Sequence, residues 1–434
     1  MKKPLFFGLS LLLTQWAVAA LPIAHWQSPQ GAQIYLISTA QLPMVDVRID
    51  WDAGSRRDPH GKSGTAAALA SMLDKGVTAQ GSLLALDENA IADIGADLAV
   101  QIAANVDDDR LSISLRSLSK PEILQPAVAL LARQIASPSL PPAVWLREQS
   151  KTLAALAEAQ TRPPYVAQTA YTQAVYGQHP YGSVPSATSL KSIRVADLRQ
   201  FHGQYLRACG ARISIVGSLD RAQAEQISHQ LLAGLPRACP PWPALPKVAD
   251  APAKLQRITL PAAQSQVLLG QIAIARDDPD FFPFLVGNHI LGGGGFASLL
   301  MQKVREDQGL VYGIYSDFAP QRDRGAFSIS FQTRPAEAER ATQLSLQVLD
   351  DFVQHGPVDT ALQAAKDNLI GGFSGRLDSN AKLLGMLANI AWNDLPLDYL
   401  DTWTAKIAAV QTADVRRAFA RMQPKTLVRV EVGP

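Results

Sequence analysis

The feature that most constrains this chain is a pattern it uses twice. Leu111-Ser112-Ile113-Ser114-Leu115 alternates apolar and polar residues, and Phe327-Ser328-Ile329-Ser330-Phe331 repeats the alternation 216 positions later. Period-two alternation is the mark of a half-buried strand. Each run leads into a helical stretch opened by proline, Pro121 to Ile135 and then Pro335 to Val353. A second match follows. Val195-Ala196-Asp197 starts a helix that leads to a strand ending at Gly217, and Thr412-Ala413-Asp414 starts one that leads to a strand ending at Gly433. Several matches at nearly one offset are more than short strands give by chance, so the chain reads as a duplicated unit of about two hundred residues.

The joint between the copies is visible. Pro236 to Pro252 holds six prolines and no periodic pattern, as an extended linker would. The expected organisation is a leader over 1–20, one unit over 21–235, a linker over 236–255 and a second unit over 256–434. Met44 to Trp51 places Val45, Val47, Ile49 and Trp51 on one face of a strand. Strands that follow one another as hairpins, mixed with long helices, predict an α+β fold. It has two homologous halves, each a mostly antiparallel sheet with helices packed on it.

Composition narrows the function classes. Hydrophobic residues make up 47% and charged residues 18%, enough apolar material for more than one core. Forty Lys and Arg against 38 acids leave no strong field to attract nucleic acid or anionic lipid. The N-terminus reads as a secretory signal: Lys2 and Lys3, an apolar run from Leu5 to Leu13, then Ala17-Val18-Ala19 as a small-x-small cleavage site. This predicts a mature chain starting at Ala20 or Leu21, periplasmic or secreted, with no membrane span after signal removal. A retained anchor is the alternative, but the run is short for a bilayer. In an oxidising compartment the only two cysteines, Cys209 and Cys239, predict one disulfide, with two buried thiols as the alternative.

The chemistry is legible mainly as a loss. A strand ending in Ala53-Gly54-Ser55-Arg56 leads through Gly64 to Thr65-Ala66-Ala67-Ala68-Leu69-Ala70-Ser71-Met72-Leu73 and Lys75-Gly76. This stretch resembles the pitrilysin/insulinase family of zinc metallopeptidases, whose helix carries His-x-x-Glu-His in this setting. There two His on one helical face grip zinc and the Glu activates the bound water. Aligned on Gly64, Met72 and Lys75-Gly76, the three positions here hold Ala67, Ala70 and Ser71. The family's third ligand, a downstream Glu, aligns near Ala155 on the helix over 144–159. Glu148 then falls on another face, and Glu158 has no His pair to complete. No two of the seven histidines lie within 22 positions of each other, which excludes a local pair on one helix.

The resemblance covers nearly the whole mature chain, including His179-Pro180-Tyr181-Gly182. In the second half Gly292-Gly293-Gly294-Gly295-Phe296 precedes a helix that ends near Arg305, with Gly309 and Tyr312 beyond it. No Walker Lys-Ser/Thr follows the glycines, so they read as a flexible connection or as close backbone packing. Active family members carry a similar Arg and Tyr that reach the peptide held at zinc, Arg toward a carbonyl and Tyr toward the developing oxyanion. Loss of the motif with retention of Arg305 and Tyr312 implies a non-catalytic, substrate-binding subunit. It would hold no cofactor itself and would form a heterodimer with a zinc-bearing chain of the same family, acting on unfolded peptide. The alternative is a peptide-binding or assembly scaffold with no peptidase role.

Overall fold

The computed structural model describes residues 22–434; the predicted signal lies outside them. The first half opens with β1 (Ala24–Gln27), β2 (Gln33–Ser38), β3 (Met44–Trp51) and α1 (Thr65–Met72). A small ribbon of β4 (Gly76–Val77) and β5 (Leu86–Asp87) precedes α2 (Glu88–Asp97) and the hairpin of β6 (Gln101–Val106) and β7 (Leu111–Leu118). Helices α3 (Pro121–Ala136), α4 (Pro142–Ala159), α5 (Pro163–Tyr176), α6 (Ala187–Ser192) and α7 (Val195–Tyr205) lead to β8 (Arg212–Gly217) and α8 (Arg221–Leu232). The second half runs β9 (Lys254–Thr259), β10 (Ser265–Ile272), α9 (Phe281–Asn288), β11 (Val311–Phe318) and β12 (Ala326–Thr333). It ends with α10 (Ala338–His355), α11 (Asp359–Gly371), α12 (Asn380–Trp392), α13 (Tyr399–Ala409), α14 (Thr412–Phe419) and β13 (Val428–Gly433).

The duplication is real at the level of topology. The first sheet has the order β1-β2-β8-β3-β7-β6, and the second, read from its far edge, β9-β13-β10-β12-β11. Without β1 the two orders are the same. Each keeps one parallel pair, β2 with β8 and β9 with β13, among antiparallel neighbours. The fold is therefore two mixed α+β domains, each a mostly antiparallel sheet packed with helices.

Each half lends the other a helix. Helix α12 of the second half packs on β3 and β8, and α5 of the first half packs on β10 and β13. This explains why β3 is buried on both faces rather than one. Val45, Val47, Ile49 and Trp51 fill the first core, while Asp46 and Asp50 on the opposite face are also buried and bond to Arg116 and Arg48. Buried carboxylates require such partners. In the second half the loan depends on Gly270. A Cβ there would come within 2.1 Å of the Tyr171 hydroxyl and 2.0 Å of the Phe327 carbonyl oxygen. With no side chain in the way, the Tyr171 hydroxyl on α5 donates to that carbonyl at 2.6 Å.

Polar contacts close the joint. Arg212 donates to the Trp392 carbonyl at 2.7 Å and pairs with Asp394 at 2.9 Å. The linker over 236–253 has no helix or strand. Arg57 and Arg207 of the first half donate to its carbonyls at Pro243 and Ala238, while Val248 and Asp250 bond to Asp323 and Arg324 of the second half. Cys209 and Cys239 form a disulfide with a Cα separation of 6.2 Å, inside the range such bonds span.

Candidate functional site

Two places carry the residues singled out in the sequence, one in each half. The first is α1. Asp58 fixes its start by accepting from the backbone N–H groups of Gly64 at 2.6 Å and Ala66 at 2.8 Å. Ala66, Leu69 and Met72 face the core. Ala67 and Ser71, one helical turn apart, are exposed on the other side, and Ala70 beside them is nearly buried. Ser71 spends its hydroxyl on the Ala68 carbonyl at 2.8 Å.

Ala70 and Ser71 open onto a cavity of about 350 Å³ whose walls include Asp74, edge strand β6 and Glu148. This corrects the expected register on α4. The acidic residue that faces the motif helix is Glu148, whereas Ala155 is exposed and outside the cavity walls. The two positions lie seven residues apart, about two helical turns, and so share one face of α4 rather than lying on different faces as expected; only the packing of α4 selects between them. Burial pushes the Glu148 carboxyl up, but hydrogen bonds from Lys151 and Arg147 outweigh it and hold it below the ordinary range. The carboxylate is therefore charged and already paired, at 3.0 Å and 2.8 Å.

The second place is the far edge of the other sheet. A π-helical turn, Met301–Glu306, ends just before Gly309, whose φ of +61° is the left-handed conformation that glycine adopts without strain. Strand β11 then begins with an irregularity in its pairing to β12 between Val311 and Ile314. Such bulges re-aim side chains at sheet edges. Tyr312 sits at this one and is 86% exposed. The Arg305 guanidinium lies 5.5 Å from the Tyr312 ring centre and 4.7 Å from that of Phe296, and pairs with Glu306 at 2.8 Å. The structure thus brings Arg305 and Tyr312 together.

Phe296, 70% exposed, belongs to this group, although sequence reasoning gave it no role. The available signal was an aromatic residue placed directly after a glycine run. Of that run, Gly292 presses on the second sheet: a Cβ there would meet the Ser316 backbone nitrogen at 2.4 Å. Close packing, rather than a phosphate cradle, accounts for it. Arg305 and Tyr312 are not among the walls of the Glu148 cavity.

Comparison with known proteins decides what this geometry belongs to. Residues 33–188 match the insulinase (peptidase family M16) model, and residues 192–369 match the peptidase M16 inactive domain. The chain belongs to the M16 (insulinase) peptidase family. The crystal structure of an M16 inactive domain from Pseudomonas fluorescens is 32% identical, with a TM-score of 0.89 over 95% of this chain and 98% of that one. A protease from Helicobacter pylori shares the fold at 17% identity, with a TM-score of 0.86 over 96% of this chain and all of that one. A non-peptidase homologue from Helicobacter pylori is 22% identical over 86% of this chain and 85% of its own length. An uncharacterized zinc protease of Streptomyces coelicolor is 26% identical over 58% of this chain and 55% of its own length. The chain thus spans about half the length of that zinc protease.

Within this M16 chain the motif residues do not fit zinc. Alanine offers no donor atom, and a serine hydroxyl bonded to a carbonyl is a poor ligand. Glu148 would be one ligand without companions. Among the described residues no group of three or more His, Cys, Asp or Glu is placed to hold a metal ion. Two of the histidines are held by backbone carbonyls: His179 Nε2 lies 3.0 Å from Pro246 O, and His202 Nε2 lies 2.7 Å from Ile135 O. No helix among the described residues is long and apolar enough to cross a membrane.

Proposed function

We propose that this chain is the non-catalytic, substrate-binding subunit of an exported zinc metallopeptidase. It pairs with a zinc-bearing chain of the same family and helps hold an unfolded peptide at the partner's metal. The observation that carries this reading is the contrast between the two places. The motif helix has no ligand, while Arg305 and Tyr312 stand together and accessible on an edge strand. An edge strand suits a peptide added as a further strand, which is driven by backbone hydrogen bonds and tolerant of sequence. Arg305 offers planar donors to a carbonyl, and Tyr312 offers a hydroxyl to an oxyanion. The disulfide supports a periplasmic or secreted location. The units that take part are residues 21–235 and 256–434, joined by the linker between them.

The near full-length similarity to a non-peptidase homologue favours a second reading, a peptide-binding or assembly scaffold. Reconstitution separates the two. The chain is captured from its native compartment, the co-purifying zinc-bearing chain is identified, and cleavage of an unfolded peptide is measured for the pair. Tyr312→Phe keeps the ring and deletes one donor. Its expected effect is a fall in turnover of about 10²–10³ with assembly and zinc content unchanged. A pair that assembles and cleaves at the unmodified rate with Tyr312→Phe and with Arg305→Ala would favour the scaffold.

A further inference from the structure

The halves meet around an open cavity of about 600 Å³ that the proposed function does not use. One wall is the tip of the β6–β7 hairpin, residues 107–110 of the first half. The others come from the second half: Arg276 after β10, helix α9, the end of β11 and helix α12. The site therefore exists only because the halves pack, and domain junctions are where ligand sites concentrate.

Its charges are not all compensated. Asp109 pairs with Arg56 at 2.6 Å, and Asp107 pairs with Arg110 at 3.1 Å. Arg276 is only 7% exposed and makes no ion pair among the described residues. Its guanidinium is held rigidly, 3.7 Å from the Phe281 ring centre and donating to the Tyr399 hydroxyl at 2.7 Å. A buried guanidinium without a carboxylate is costly, and a ligand anion would repay it. Among the described residues two carboxylates of the walls also lack a cation: Asp108, whose side chain accepts from Ser55 and Gln321, and Asp317 on the edge strand. Trp392 and Phe318 give the cavity apolar surface, and Asn389 and Gln321 bring amides to its walls.

The geometry points to a binding site for a short peptide with free termini, its carboxylate on Arg276 and its ammonium toward Asp108 and Asp317. An apolar wall with amide groups suits a peptide backbone and small side chains, and the volume takes a few residues. The site is separate from Arg305 and Tyr312 and stands whether or not a zinc-bearing partner exists.

Isothermal titration of the purified chain with trialanine, its C-terminal amide and its N-acetyl form tests this directly. The free tripeptide should bind, and amidation should weaken binding about tenfold or more, the worth of a charge-assisted hydrogen bond. Arg276→Gln should erase the difference between acid and amide. Asp317→Asn should narrow the preference for a free amino terminus while leaving the acid–amide difference in place. Equal binding of acid and amide, no binding of the free tripeptide, or an acid–amide difference that survives in a folded Arg276→Gln chain would overturn the assignment. Should Arg276→Gln fail to fold, the acid–amide comparison on the unaltered chain decides alone.

Discussion

Asp52 ties three segments together from one carboxylate. It pairs with Arg56 at 3.0 Å and Arg57 at 2.6 Å, and Arg57 in turn donates to the Pro243 carbonyl of the linker. Burial pushes the Asp52 carboxyl up, but the hydrogen bonds and charges of Arg57 and Arg56 outweigh it, so it titrates below its ordinary value of 3.8. The folded state thus prefers the ionised form more than the unfolded chain does. The stability this supplies is present above the unfolded value and is lost as pH falls through the folded one. Asp52→Asn should lower stability at pH 7 by about 2 kcal/mol, since the Arg57 guanidinium loses its carboxylate partner while Arg56 keeps Asp109. In denaturant titrations the gap to the unaltered chain should close as the pH drops below the ordinary carboxylate range. A gap that is constant with pH would mean that the charge of Asp52 does not matter.

At the scale of elements, the Cys209–Cys239 bond closes a loop over helix α8 and the start of the linker. Replacing both cysteines with serine should cost about 3–4 kcal/mol in the chain-entropy model for a separation of 30 residues. Melting with and without reductant checks this, and equal melting temperatures would contradict it. Most elements were legible from sequence. The strands at 111 and 327, the helices opened by Pro121 and Val195, and the closing strands at Gly217 and Gly433 all occur, because hydrophobic period and proline placement are local signals. The exchange of α5 and α12 was not legible, since an apolar helix face does not say which sheet it covers. Glu148 was misplaced for a related reason: two positions on α4 satisfy the same period, and only three-dimensional packing chooses between them. The Arg305–Tyr312 pair was legible through its family context. Phe296 and the Arg276 cavity depend on contacts between segments distant in sequence.

At the scale of the molecule, the exchanged helices make each core depend on the other half. Without α12 the outer face of β3 and β8 would be open, with Asp46 and Asp50 at its surface; without α5, β10 and β13 would lose their cover. Calorimetry should therefore give one cooperative transition, and residues 22–253 expressed alone should not melt cooperatively. Two separate transitions would show that the halves are independent. The central claim, however, is that a member of a zinc-peptidase family keeps the fold while its motif helix can no longer hold zinc. Elemental analysis of the purified chain, paired with an assay for cleavage of an unfolded peptide, measures this most directly. Far less than one zinc per chain and no cleavage by the chain alone are expected; one tightly held zinc per chain would show that the motif helix still supports a metal site.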